Sequence, residues 1–480
     1  MNLSGNIPSQ LGNLSFLVSI NLSSNYFYGS LPRELIRLRR LQIIDFRHNS
    51  FSGQIPLWFG FLHTLQRLIL RNNSFTGFIP PSLSNISTLQ DLDLTFNPLQ
   101  GKILEEIGNL HNLKTLNLQY NRLTGPIPLT IFNISTLENL AFTRNNLSGA
   151  IPLELGNLKN LVLLNMAENF FTGSILAIIF NISSLKYINI ARNNLSGNLD
   201  MLVLGYELHN LEELYLSNNN FHGGIPNSIA NSSKLTEIGL SYNKFRGSIP
   251  SEIGRIRTLQ ILYLGSNDLS GAIPPELGNL ENLVDLEMSD NFLTGSIPSI
   301  LDNQLSSNLG LLVLGYELPN LEGLYLSNNN FHGRIRNSRY LIILALGDNP
   351  LNGILPVSIG NLSTSLQYLY AYNCDLWGSI PKKIGNLSSL IALSLYGNQL
   401  TGSIPTSVVD LQKLQGLHLS RNKISGSIPD TLCELRNLYE LTFSQNLITG
   451  ATPDCIGNIT TLRSLYINAN RLTSSIPASL

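Results

Sequence analysis

The sequence predicts an α/β repeat solenoid, a curved superhelix with a parallel β-sheet on its concave face and 3-10 or irregular turns on its convex side. Three observations predict it. Asparagines recur every 24 residues at Asn25, Asn49, Asn73, Asn97, Asn121, Asn145, Asn169 and Asn193. The register returns at Asn219, Asn243, Asn267 and Asn291, and again from Asn349 through Cys374, Asn398, Asn422, Asn446 and Asn470. Around each lies the pattern LxxLxLxxNxLxGxIPxxLGxL. A single coil cannot bury its own leucines, so coils must stack. The 480 residues, 1–480, are therefore expected as a single solenoid of about 20 coils.

Each position has a physical role. The LxL segment alternates with period two and reads as a short strand, leucines inward and the x residues outward. The asparagine ends the strand at a bend, where its amide can satisfy backbone groups of the bend and of the next coil. The glycine four residues later lets the chain turn. The Ile-Pro pair, as at Ile273-Pro274, is expected to start a second extended stretch, since proline fixes φ and favours extension before it. Later leucines such as Leu277 and Leu280 fill the core from the convex side.

Composition narrows the function classes. The net charge is −1 and only 13% of residues are charged, so no basic surplus points to nucleic acid. Three cysteines cannot form a dense disulfide framework. No apolar run approaches the roughly 18 residues of a membrane span, so no direct membrane insertion by this chain is expected. The start, MNLSGNIPSQ, does not read as a signal peptide. No metal constellation, cofactor site or catalytic set of nucleophile, base and orienter can be assembled, so the chain does not read as an enzyme.

The 24-residue period with NxLxGxIPxxLGNL resembles the plant-specific class of leucine-rich repeat. Within that class the chain is similar to the ectodomains of plant receptor-like kinases, in particular the group that includes immune receptors. Gly353–Leu362 (GILPVSIGNL) and the DTLC ending at Cys433 carry that similarity. The resemblance implies the extracellular part of a plasma-membrane receptor that binds a peptide or protein, some of them pathogen-derived, and couples to a co-receptor with a leucine-rich-repeat ectodomain. The chain departs from the pattern in having no capping cysteine pairs, no span and no kinase signatures such as HRD or DFG. Uncapped termini of this kind are those of a fragment of a longer receptor. The alternative is a secreted inhibitor of cell-wall-degrading enzymes, similar to the polygalacturonase-inhibiting proteins, which share the repeat.

One region, 296–344, breaks the period. Leu202–Ser228 and Leu312–Ser338 are near copies that lie 110 residues apart, not a multiple of 24. Asn303 follows Asn291 by only 12 residues, half a repeat, and Asn349 follows Asn329 by 20. Duplication with deletion is the simpler account; an island loop that contacts ligand is the other. The former predicts a break in coil stacking between Pro298 and Leu344.

Candidate site residues follow from the outward strand positions. Tyr263, Asp285, Glu287 and Asp290 form an aromatic and acidic cluster in adjacent coils. Tyr368, Tyr370, Tyr372 and Tyr396 form an aromatic one. Exposed tyrosines on a rigid sheet suit protein recognition, although tyrosine is also a common strand residue. Arg47, His48, Arg67 and Arg71 form a weaker basic cluster. Thirteen N-x-S/T sequons occur, at Asn2, Asn13, Asn21, Asn72, Asn85, Asn133, Asn146, Asn181, Asn194, Asn231, Asn361, Asn386 and Asn458. Asn85, Asn133, Asn181, Asn231, Asn361, Asn386 and Asn458 share one repeat phase off the strand face and are candidate glycosylation sites. Cys433 and Cys455 fall in adjacent coils. On a 3-10 turn their separation is roughly 6 Å, within disulfide range, and on an extended backbone roughly 8 Å, too far; both readings stay open. Cys374 takes a ladder position as a weak donor.

Overall fold

The computed structural model describes residues 2–174, 179–199, 209–296, 318–332 and 340–473. They form two compact units, Met1–Leu235 and Thr236–Leu480. In the first, nine described three-residue strands run parallel from Ser19–Asn21 to Glu213–Tyr215. Their central residues align, so that Leu68, Leu92, Leu116, Leu140, Leu164 and Ile188 pair in register. All six are fully buried. In the second unit, ten described strands run parallel from Glu237–Gly239 to Ser464–Tyr466. The fold in each unit is the leucine-rich-repeat solenoid, with no helix beyond 3-10 turns among the described residues.

The asparagine ladder binds each coil to its predecessor. Asn267 Nδ2 donates to the carbonyls of Leu264 (3.0 Å) and Gly265 (3.1 Å) in its own bend and to Leu240 (3.1 Å) one coil earlier. Its Oδ1 accepts the N–H of Phe245 (3.0 Å), also one coil earlier. The partner is thus the preceding coil, not the following one that the sequence suggested. The reason lies in the bend, where the residue before the asparagine adopts left-handed backbone, as at Tyr120 (φ 53) and Ser266 (φ 53). That conformation costs roughly 1 kcal/mol or more in a non-glycine residue. The ladder bonds hold it in place.

A second correction concerns the Ile-Pro pair. The second strand lies ahead of it, for example Asp268–Ala272, around Gly271 at φ 81. The proline instead opens a 3-10 turn, with Pro274 (φ −61, ψ 133) leading into Pro275–Asn279. Its missing N–H would break a ladder bond, whereas its fixed φ suits the turn entry. The other repeat glycine, in the LGNL segment, serves close approach. A Cβ at Gly254 would lie 2.1 Å from the Glu276 backbone oxygen of the next coil.

Residues 297–317 and 333–339 of the aperiodic region, Asn303 included, lie outside the described residues. The strands that flank them pair directly. Asp285–Glu287 pairs with Gly323–Tyr325, and that strand with Ile343–Ala345, each over three residues in register. The break in stacking expected between Pro298 and Leu344 is therefore absent from the strand ladder. A strand is only three residues long, so a coil can lose convex-side residues and still keep its pairing.

Cys433 and Cys455 form a disulfide with Cα atoms 5.7 Å apart. Both sit in 3-10 turns, Asp430–Glu434 and Asp454–Asn458. Cys374 is a buried free thiol that donates to the carbonyls of Tyr372 (3.1 Å) and Leu346 (3.3 Å), the donor half of the asparagine pattern. It has no amide oxygen to offer the coil before it. The Leu351 N–H turns instead to the Asn349 carbonyl at 2.8 Å, and Asn352 goes left-handed at φ 47. Burial pushes the Cys374 thiol up to about 12, so it stays protonated.

Candidate functional site

The outward strand positions of the second unit carry the sequence-predicted clusters, and the side chains are positioned by gaps in the neighbouring coil. Glu287 leans across Gly265: its Oε2 accepts the Gly265 N–H (2.8 Å) and the Ser241 hydroxyl (3.1 Å), and its Oε1 the Ser289 N–H (2.9 Å). A Cβ at position 265 would stand 2.1 Å from those oxygens. Burial raises the Glu287 carboxyl above its ordinary value against the pull of these bonds. Asp285 leans the other way, over Gly323, where a Cβ would meet its Oδ1 at 2.1 Å. The Tyr263 hydroxyl donates to Asp285 Oδ2 at 3.4 Å. Burial and then the Asp285 charge push the Tyr263 phenol up to about 12. Asp290 stands apart, accepting Asn328 Nδ2 (2.8 Å) and the Ser266 hydroxyl (3.3 Å).

Tyr368 and Tyr370 sit on one strand with ring centroids 6.2 Å apart. Tyr372 lies over Gly347, where a Cβ would be 2.3 Å from its ring. Tyr396 does not join them. It lies under the Arg421 guanidinium, 5.5 Å from its ring centroid, in a separate groove of about 530 Å³ with His418, Glu440 and Tyr466.

Tyr325, not singled out from the sequence, links the two clusters. It is paired in register with Ala345, which is paired with Tyr370. The small Ala345 leaves a trough between two half-buried tyrosines, about 10 Å from wall to wall at two strand spacings. Burial, and then the Asp285 charge, raise the Tyr325 phenol. Tyr325 has the same outward phase as Tyr263 and Glu287, but the lost half-repeat before it hides that phase in a strict 24-residue count.

Three of the four basic candidates are occupied. Arg47 pairs with Asp45 at 3.3 Å, Arg67 with Asp91 at 2.8 Å, and His48 Nδ1 is 2.9 Å from Asn72 Nδ2. The candidate glycosylation residues each end a 3-10 turn, as Asn85 ends Pro81–Asn85 and Asn386 ends Lys382–Asn386. Asn85, Asn133, Asn231, Asn361, Asn386 and Asn458 are exposed. The side chain of Asn181 lies outside the described residues. Among the described residues no group of three His, Cys, Asp or Glu could hold a metal ion, and no helix is long and apolar enough to cross a membrane.

The family model described as Leucine Rich Repeat matches residues 40–62, 64–86, 88–110, 112–134, 210–232, 234–256, 258–280, 282–304, 365–387 and 413–435. The Arabidopsis receptor kinase HAESA, solved with the peptide hormone IDA and the co-receptor SERK1, superposes with a TM-score of 0.88 at 32% identity. That match covers 100% of this chain and 78% of HAESA's solved chain. The chain belongs to the leucine-rich-repeat family of plant receptor-kinase ectodomains. The plant peptide hormone receptor RGFR1, solved with RGF2, matches this family member at TM-score 0.73 and 30% identity over 98% of this chain and 85% of that one. By sequence, the receptor kinase-like protein Xa21 of Oryza sativa subsp. japonica is 44% identical over 88 residues, 16% of this chain and 8% of Xa21. The receptor-like kinase EFR of Arabidopsis thaliana is 46% identical over 69 residues, 14% of this chain and 7% of EFR. The aligned stretches span less than a tenth of these relatives' length.

Proposed function

We propose that this chain is the ligand-recognition part of an extracellular receptor and that the second unit takes an extended peptide or protein segment across its outward strand face. The observation that carries this is the trough over Ala345, walled by Tyr325 and Tyr370. Tyr263 and Asp285 lie beyond one wall and Tyr368 beside the other. Tyrosines with few rotatable bonds give large contact area at low entropic cost. Asp285, whose hydrogen bond to Tyr263 is long, keeps acceptor capacity for an N–H donor of the ligand. HAESA and RGFR1, bound to peptide hormones, support the reading, and HAESA's complex with SERK1 supports a co-receptor. In this reading the exposed sequons carry glycans away from the strand face, and the chain sits on the outer side of the plasma membrane.

The experiment is selection of peptides against the glycosylated chain secreted from plant cells, followed by alanine scanning. Tyr325→Ala and Tyr370→Ala should each weaken a selected peptide by about tenfold, or about 1.4 kcal/mol. Binding that survives both substitutions removes this face. An intact mass without glycan removes the extracellular reading.

A further inference from the structure

In the first unit, outside the face just described, side chains of four consecutive coils form a column. Phe96 and Tyr120 stack with centroids 4.0 Å apart and planes at 15°. The Arg71 guanidinium lies 5.8 Å from the Phe96 centroid, and that of Arg144 lies 5.4 Å from the Tyr120 centroid. The left-handed backbone at Phe96, Tyr120 and Arg144 repeats one side-chain direction at each coil. An aromatic ring is negative on its faces and positive at its edge. Here the stack takes the inner faces and the guanidiniums take the outer ones. What remains for solvent is the positive rim, and Phe96 is 40% exposed.

Beside the rim runs an open groove of about 370 Å³, lined also by Asn72, Pro98 and Arg122. It opens where the second strand ladder thins. In the next coil Arg122 N–H donates to the Leu99 carbonyl at 2.7 Å, but Pro98, at the equivalent position, has no N–H to give. Pairing there falls to an isolated bridge between Gly77 and Leu99. Arg144 has a carboxylate, Glu168, at 3.9 Å. Among the described residues neither Arg71 nor Arg122 has one within ion-pairing distance. Both are exposed.

We propose that this strip docks an acidic peptide segment of a protein partner. Three coil steps of about 4.8 Å make the strip about 14 Å long, more than one small anion can span. An extended chain advancing about 3.3 Å per residue places carboxylates at i and i+4 about 13 Å apart, on the same side. One meets Arg71 and the other Arg122 and Arg144, while an apolar side chain at i+2 rests on the Phe96–Tyr120 rim. The contact is electrostatic and exposed, so it weakens as salt rises.

The test uses the full chain and a fluorescent octapeptide with aspartate at positions 2 and 6 and leucine at position 4. Its counterpart carries asparagine for both aspartates, and a competitor is an oligogalacturonate of similar length. The aspartate peptide should bind at low ionic strength and lose affinity at physiological salt. The double variant Arg71→Gln/Arg122→Gln should weaken it about tenfold, with thermal unfolding unchanged because both side chains are exposed. Phe96→Leu should weaken it less. Tyr325→Ala should leave it unchanged, which separates this strip from the second unit's face. Absence of binding, equal binding of the asparagine peptide, or an unaffected double variant overturns the proposal. Tighter binding of the oligogalacturonate also overturns it, in favour of an acidic polysaccharide.

Discussion

In the first unit, basic side chains at and around the strands reach carboxylates, several of them one coil away: Arg67 to Asp91 at 2.8 Å, Lys114 to Glu138 at 3.2 Å and Lys186 to Glu212 at 2.8 Å. In the second, Glu287 turns to hydroxyl and backbone N–H donors, Asp285 to a phenol, and tyrosines take the neighbouring places. The two faces stand on the same inward leucines and the same asparagine bonds. The repeat constrains what must be buried and leaves the outward residues free, so one backbone supports a charge-paired surface and an aromatic, acidic one.

Several substitutions can break or sharpen that contrast. The largest effect belongs to what the units share. Asn145→Ala in the first and Asn267→Ala in the second each strand buried backbone groups, and each should cost about 3 kcal/mol in urea unfolding. Clearly unequal losses would show that the inner frames differ after all. Next comes Gly265→Ala, whose new methyl displaces the Glu287 carboxylate at an expected cost of about 1–3 kcal/mol. Adding Glu287→Ala should recover part of that loss in a double-mutant cycle, since the clash is with that side chain.

Glu287 also predicts a pH dependence. Its carboxyl titrates above the ordinary 4.5 in the folded chain because it is buried. The native state thus holds a proton that the unfolded chain has already released. The stability this contributes is complete below the unfolded value and is lost as pH rises through the folded one. Relative to Glu287→Gln, the unmodified chain should lose stability between acid pH and neutrality, read from unfolding midpoints across pH. The smallest effect is Arg67→Ala in the first unit. Its pair with Asp91 is 49% and 31% exposed, so less than about 1 kcal/mol should be lost.

Much of this was legible in the sequence. The period located the strands, the buried leucines and the ladder, including the thiol at Cys374 that can donate but not accept. Tyr263, Asp285 and Glu287 were readable as neighbours because each stands at an outward phase of consecutive coils. Tyr325 was missed because the shortened spacing before it hid its phase. Tyr396 was grouped with Tyr372 on the same logic, yet Tyr372 lies over Gly347 in the coil before while Arg421 in the coil after covers Tyr396. Phase gives a position on the face and says nothing of which way a side chain leans.

The sequence by itself determined the coil, because a 24-residue spacing of leucine, asparagine and glycine permits few ways to bury the leucines and satisfy the bends. Only the tertiary structure decided the surface chemistry. Whether Glu287 points to solvent or folds over Gly265, and whether Phe96 and Tyr120 show faces or rims, depends on the space left by residues one coil away. Those contacts form only when the coils stack, and local sequence carries no energy term for them.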